Sequence, residues 1–133
     1  MLTDEIKTRL TAEGLVATGY TVLRGKMPAT PDKVIVLREG GGAGLERFMG
    51  SASIEQPALQ VLVRGAAFDY DGPRQVIERI YQAAQGWGAF AVSGVRYLGL
   101  TALQAPNKLR EDENERVEFV VNFFVQKELS PTS

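Results

Sequence analysis

The segment RVEFVVNFFVQ, residues 116–126, constrains the fold more than any other part of the chain. Val117, Phe119, Val121, Phe123 and Val125 fall on alternate positions, the period-two pattern of a strand with one face in a core. The other face carries Glu118, Val120, Asn122, Phe124 and Gln126. A solvated face should be polar throughout, and Val120 and Phe124 interrupt it. At roughly 3.3 Å per residue, 117–126 spans about 33 Å. A chain of 133 residues has a radius of gyration near ~14 Å, so the strand crosses the domain. One face is expected to be core, and the other to meet another protein.

Composition acts mainly by exclusion. With neither cysteine nor histidine, the chain has no route to Cys/His zinc sites, thiol nucleophiles, Ser-His-Asp triads or histidine acid–base catalysis. Fifteen basic residues against sixteen acidic ones argue against a dedicated nucleic-acid binder, which needs a clustered basic surface. The opening MLTDEIKTRL is charged and lacks an apolar signal core, and no run approaches the length of a membrane span. The length suits one domain, 1–133, with a single core. From Pro106 onward six acidic residues face four basic ones, which reads as a solvated hairpin tip or as a docking loop.

Leu2, Ile6 and Leu10 predict an N-terminal helix, with Thr3 or Asp4 as cap and Gly14 as terminator. Residues 20–24 and 33–38 read as strands separated by KMPATPD, whose prolines force a loop. A flexible loop over about 39–56 and a strand over 58–65 follow. Asp71 is the expected N-cap of a second helix, with Gly72 and Pro73 in its first turn. Its stripe is Val76, Ile77, Ile80, Tyr81 and Ala84, and Gly86 is its stop. GWGAFAVSG reads as a loop. Strands over 95–104 and 116–126 are joined by the charged turn, and 129–133 form a frayed tail. The expected architecture is α+β: a mostly antiparallel β-sheet with two main helices packed on one face. In a monomer the outer face would then expose Val120 and Phe124, and also Leu98, Leu100 and Ala102 if their strand shares that orientation. Such an apolar patch marks a subunit interface.

The cluster Gly40, Gly41, Gly42 and Gly44 is not a phosphate loop, because Leu45 and Glu46 stand where lysine and a hydroxyl are needed. Leu45, Phe48 and Met49 nonetheless give this loop apolar residues for anchoring to a partner. Asp69 and Asp71 are explained by helix capping, and the run 111–115 by a polar turn. Arg64, inside the apolar strand QVLVRG, is either an exposed outer-face arginine or half of a subunit-bridging ion pair, and Arg116 invites the same two readings.

PALQVLVRG, the helix after it and APNKLREDENERVEFVVNFFV together resemble the minor capsid and tail-terminator proteins of long-tailed bacteriophages. The residues that carry the resemblance are Pro57, Gln60, Val61, Arg64 and Gly65, then Pro106, Asp112, Arg116, Asn122 and Phe123. The resemblance implies a structural virion protein, neither enzyme nor cofactor binder, that is assembled in the host cytoplasm. Such proteins form a homo-oligomeric ring, usually a hexamer, that caps the tail tube, stops its polymerisation and meets the head connector. A ring needs one patch to meet a different patch on the next subunit. Arg64, Arg116, Val120 and Phe124 are the candidate subunit-interface residues. Leu45, Phe48, Met49 and Arg110 are candidates for docking tube or connector. Glu111, Asp112 and Glu113 are candidates for an acidic lumen through which DNA slides without binding. A head-closure or head–tail joining neck protein is the alternative. A small carboxylate-based hydrolase or ligand-binding domain is the reading from another class, and it requires convergent Asp/Glu in a pocket.

Overall fold

The long C-terminal strand is the axis of the sheet. The computed structural model describes residues 2–40, 54–55, 58–92 and 95–128. In chain order the elements are α1 (Leu2–Ala12), β1 (Thr21–Arg24), β2 (Val34–Gly40), β3 (Ile54–Glu55), β4 (Ala58–Ala67), α2 (Asp71–Gln85), β5 (Phe90–Val92), β6 (Val95–Ala102), β7 (Asn107–Glu111) and β8 (Arg116–Glu128). They make an eight-stranded sheet in the order β1-β2-β4-β8-β6-β5, with β3 and β7 also pairing on β8. All the pairings are antiparallel except β1 with β2. Both helices lie on one face, so the α+β expectation holds.

The alternation in β8 decides that face. Val117, Phe119, Val121, Phe123 and Val125 are buried with Leu2, Ile6 and Leu10 of α1 and Val76, Ile77, Ile80 and Ala84 of α2. Burying each of these valine, leucine, isoleucine and phenylalanine side chains contributes about 1.5–3 kcal/mol. Register places Leu59, Val61 and Val63 of β4 beside Phe123, Val121 and Phe119. Leu100 and Ala102 of β6 stand opposite Val125 and Phe123, and therefore also face the helices. The orientation that would have put Leu100 and Ala102 on the outer face with Val120 is therefore not the one adopted. A register shift between Tyr97 and Gly99 turns the strand, and Tyr97 enters the core.

Helix ends follow local chemistry with two departures. α1 closes on Gly14, whose φ is +69°. Gly14 N–H donates to Thr11 O and Leu15 N–H to Leu10 O, the paired bonds of a Schellman end with Leu10 and Leu15 in apolar contact with the core. Its start lies at Leu2, so Thr3 and Asp4 sit inside the first turn. In α2 the N-cap is Tyr70 rather than Asp71. The carboxylate that serves the helix start belongs to Asp69, which accepts from Gly72 N–H at 3.0 Å. Two short strands, β5 and β7, occupy segments expected to be loop and turn. Both are added at edges of the sheet, where pairing with a long neighbour overrides a weak local pattern.

Candidate functional site

β4 and β8 each carry one arginine into the side of the sheet opposite the helices. Arg64 stands in register with Val34 and Glu118 and is only 2% exposed. The connection from β1 to β2 folds over it. Arg64 donates from Nη1 to Pro28 O at 2.6 Å, from Nη2 to Pro31 O at 2.6 Å and from Nε to Asp32 O at 3.0 Å. A rigid planar fork with several donors suits three carbonyls at fixed positions. The expectation of an exposed outer-face arginine therefore fails at residue 64: the prolines that forbid pairing in this connection leave its carbonyls free to accept.

Arg116 continues the same device. It donates from Nε to Asp112 Oδ2 at 2.8 Å, and from Nη1 to Ala29 O at 2.7 Å and to Asp32 Oδ1 at 2.9 Å. Asp112 in turn accepts from the backbone N–H groups of Asn114 and Arg116 at 3.0 and 2.9 Å, which closes the β7–β8 turn. The loop over 28–32, the sheet and the hairpin are thus tied at one point. Burial pulls the Arg64 guanidinium below its ordinary pKa, and the nearby Arg116 charge adds to this. For Arg116 burial also opposes the charge, but hydrogen bonds to Asp32 and Asp112 outweigh it and raise the value. Burial works against the Asp112 carboxylate, yet the N–H groups of Arg116 and Asn114 and the Arg116 guanidinium hold it below the usual range.

Beside this node lies an open cleft of about 530 Å³, lined by Met27, Pro28, Ala29, Arg64, Arg110, Glu111, Asp112, Glu113, Asn114 and Arg116. Its carboxylates do not converge. Asp112 is turned into the Arg116 bond, while Glu111 lies on the surface 4.0 Å from Lys108 Nζ and Glu113 is exposed. Among the described residues no group of three or more His, Cys, Asp or Glu is placed to hold a metal ion. The arrangement is suited to holding shape and presenting charge.

The remaining sequence candidates separate by position. Val120 is 5% exposed, in a small outer cluster with Val34, Val36 and Leu62 that Leu23 and Met27 help to cover. The expected exposure of Val120 in a monomer is thus corrected, because the β1–β2 connection supplies a second layer. Phe124 is half-buried, opposite Ala58 and Thr101. Arg110 is 62% exposed and reaches the buried Glu118 at 3.2 Å. Leu45, Phe48 and Met49 lie outside the described residues. Sequence reading missed Asp32, whose only signal was a carboxylate at the end of a two-proline loop. It also missed Phe68, which the structure holds out at 85% exposure.

With this geometry in view, comparisons with known proteins assign the chain. The family model described as bacteriophage tail terminator protein matches residues 9–129, a span that takes in every strand, α2, and both arginines. Among solved structures, a chain from "Virion of native gene transfer agent (GTA) particle" superposes with a TM-score of 0.66 over 96% of this chain and 94% of that one, at 16% identity. A likeness at that identity is one of fold. No curated protein sequence matches the chain. The protein belongs to the bacteriophage tail terminator family, a structural family.

Proposed function

We propose that this protein assembles as a ring, usually a hexamer in such proteins, on the last ring of a tail tube, ends tube growth and offers its far side to the head connector. The observation that carries the reading is the family match across 9–129. The geometry supports it: the Arg64–Arg116 node stiffens one end of the sheet and leaves Arg110, Glu111 and Glu113 on the surface of the hairpin beside the cleft. In this reading Arg110, with Leu45, Phe48 and Met49, docks tube or connector. Glu111 and Glu113 face the lumen, where acidic walls let DNA pass without binding phosphate, and Asp112 braces them. Phe124 contributes to the subunit contact, with Val120, Arg64 and Arg116 supporting it from beneath. The virion is the proposed location, after assembly in the host cytoplasm; among the described residues no helix is long and apolar enough to cross a membrane.

Removing the protein from an assembling phage tests this. Overlong tails without heads are expected. Tails of normal length that never join heads would instead favour a head-closure role. Mass measurement of the protein bound to purified tubes should give one closed ring per tube end.

A further inference from the structure

The two loops that wall the cleft beside the arginine node are seated mainly by polar bonds. In the strap between β1 and β2, residues 25–33, no side chain is buried: Met27, Pro28 and Lys33 are partly covered and the others are exposed. In β7 and the turn after it, 107–115, Asp112 is partly covered and the others are exposed. The hydrophobic burial that seats α1 and α2 is thus nearly absent from both loops. Their anchors are instead two guanidinium groups that are themselves buried, at 2% exposure for Arg64 and 6% for Arg116. A segment with so little buried apolar surface opens at a lower free energy than the core. Beneath the strap lies the outer cluster of Val34, Val36, Leu62 and Val120.

Arg116 ties the two loops to each other. Its Nε donates to Asp112 of the hairpin at 2.8 Å, and its Nη1 donates to Ala29 O at 2.7 Å and Asp32 Oδ1 at 2.9 Å in the strap. Asp112 holds the hairpin turn through the N–H groups of Asn114 and Arg116. Lifting the strap takes two acceptors from Arg116, and melting the turn takes the third. Either event leaves a buried charge short of partners, so the loss of one loop weakens the seat of the other. A further tie of the hairpin, from Arg110 to Glu118, starts from an arginine that is 62% exposed and adds little. We propose that strap and hairpin form one clasp, closed by Arg116, which opens and closes as a unit while the helix side of the sheet stays folded. Its use rests on the docking reading above: the closed clasp fixes the hairpin that presents Arg110, Glu111 and Glu113.

The test begins with the free chain in solution. Asp32→Ala removes a 54% exposed side chain that meets the hairpin through Arg116, and the carbonyl of residue 32 remains for Arg64. In the wild type, the amides of Asp112, Asn114, Glu115 and Arg116 should exchange with deuterium faster than those of 119–125, because the clasp opens below global unfolding. In Asp32→Ala they should exchange at least about fivefold faster still. In the reverse direction, Asp112→Asn should speed tryptic cleavage after the exposed Lys26 at least about threefold, since cleavage of a transiently opened segment tracks the open population. Wild-type hairpin amides as slow as the core would overturn the clasp. So would hairpin rates unmoved by Asp32→Ala, or strap cleavage unmoved by Asp112→Asn. On tail tubes, cleavage after Lys26 should slow together with hairpin exchange, because coupling between two loops is reciprocal. A hairpin protected on tubes beside a strap cleaved as in the free chain would also overturn the clasp. Failure to bind tubes would count against the ring reading alone, since the solution measurements need no tube.

Discussion

Arg64 and Arg116 put guanidinium groups where an apolar side chain would be the simpler choice, and each is stabilised by acceptors that only the folded chain brings near. Arg64→Lys keeps the charge but replaces a fork by a point, so it cannot serve Pro28, Pro31 and Asp32 at once. It should cost about 1–3 kcal/mol, and Arg64→Met, which leaves all three carbonyls unpaired, about 3 kcal/mol or more. Urea unfolding with an unchanged slope and a lowered midpoint would register both. Asp112 gives a pH dependence. Its folded pKa is depressed, so the unfolded state binds the proton more readily. The stabilisation from this group is complete above the unfolded value near ~4 and is lost as pH falls through the folded value. Asp112→Asn should therefore be less stable than wild type at about pH 7, and the gap should narrow as the pH is lowered below about 4, read from unfolding midpoints along a pH series. Tyr20, whose hydroxyl is buried without a hydrogen-bond partner among the described residues, has its pKa pushed up to about 12, first by burial and then by Asp69.

Among the elements, the seat of α2 on β4 rests on close approach. A Cβ at Gly65 would come within 2.7 Å of Cδ and Cγ of Pro73 in the first turn of α2. Proline cannot rotate away, so Gly65→Ala must push the helix off the sheet, at a cost of about 1–3 kcal/mol by thermal or urea unfolding. At the end of α1 the space around Gly14 is open, and the constraint is conformational. Gly14→Ala should cost about 1 kcal/mol because φ is +69° there. These elements were legible in unequal parts. The five alternating apolar residues of β8 and the stripe of α2 specify a buried face by period alone, and they are buried as expected except for Tyr81, which is only partly covered. The short β5 and β7 carry no such pattern: their pairing is decided by β6 and β8. The orientation of Leu100 was equally invisible, since one register shift near Gly99 changes which residues face the helices.

Across the whole molecule, stability should be graded from the centre of the sheet outward. β4 and β8 have paired neighbours on both sides over much of their lengths, whereas β7 is exposed along its length and pairs only with β8 among the described strands. Hydrogen exchange should therefore show amides of 107–111 exchanging at least about tenfold faster than those of 119–125. The amino-acid sequence by itself determined the class of this protein: an α+β fold whose long strand buries one face against the helices, without the histidine or cysteine that many catalytic and metal sites use. Those properties follow from local periodicity and from residue types that are present or absent. Only the tertiary structure decided what covers the other face of the sheet. Arg64 finds acceptors 32 to 36 residues away, and Arg116 finds two of its partners 84 and 87 residues away. No local pattern encodes which loop will arrive there, because the free energy of a buried charge depends on the acceptors that the fold gathers around it.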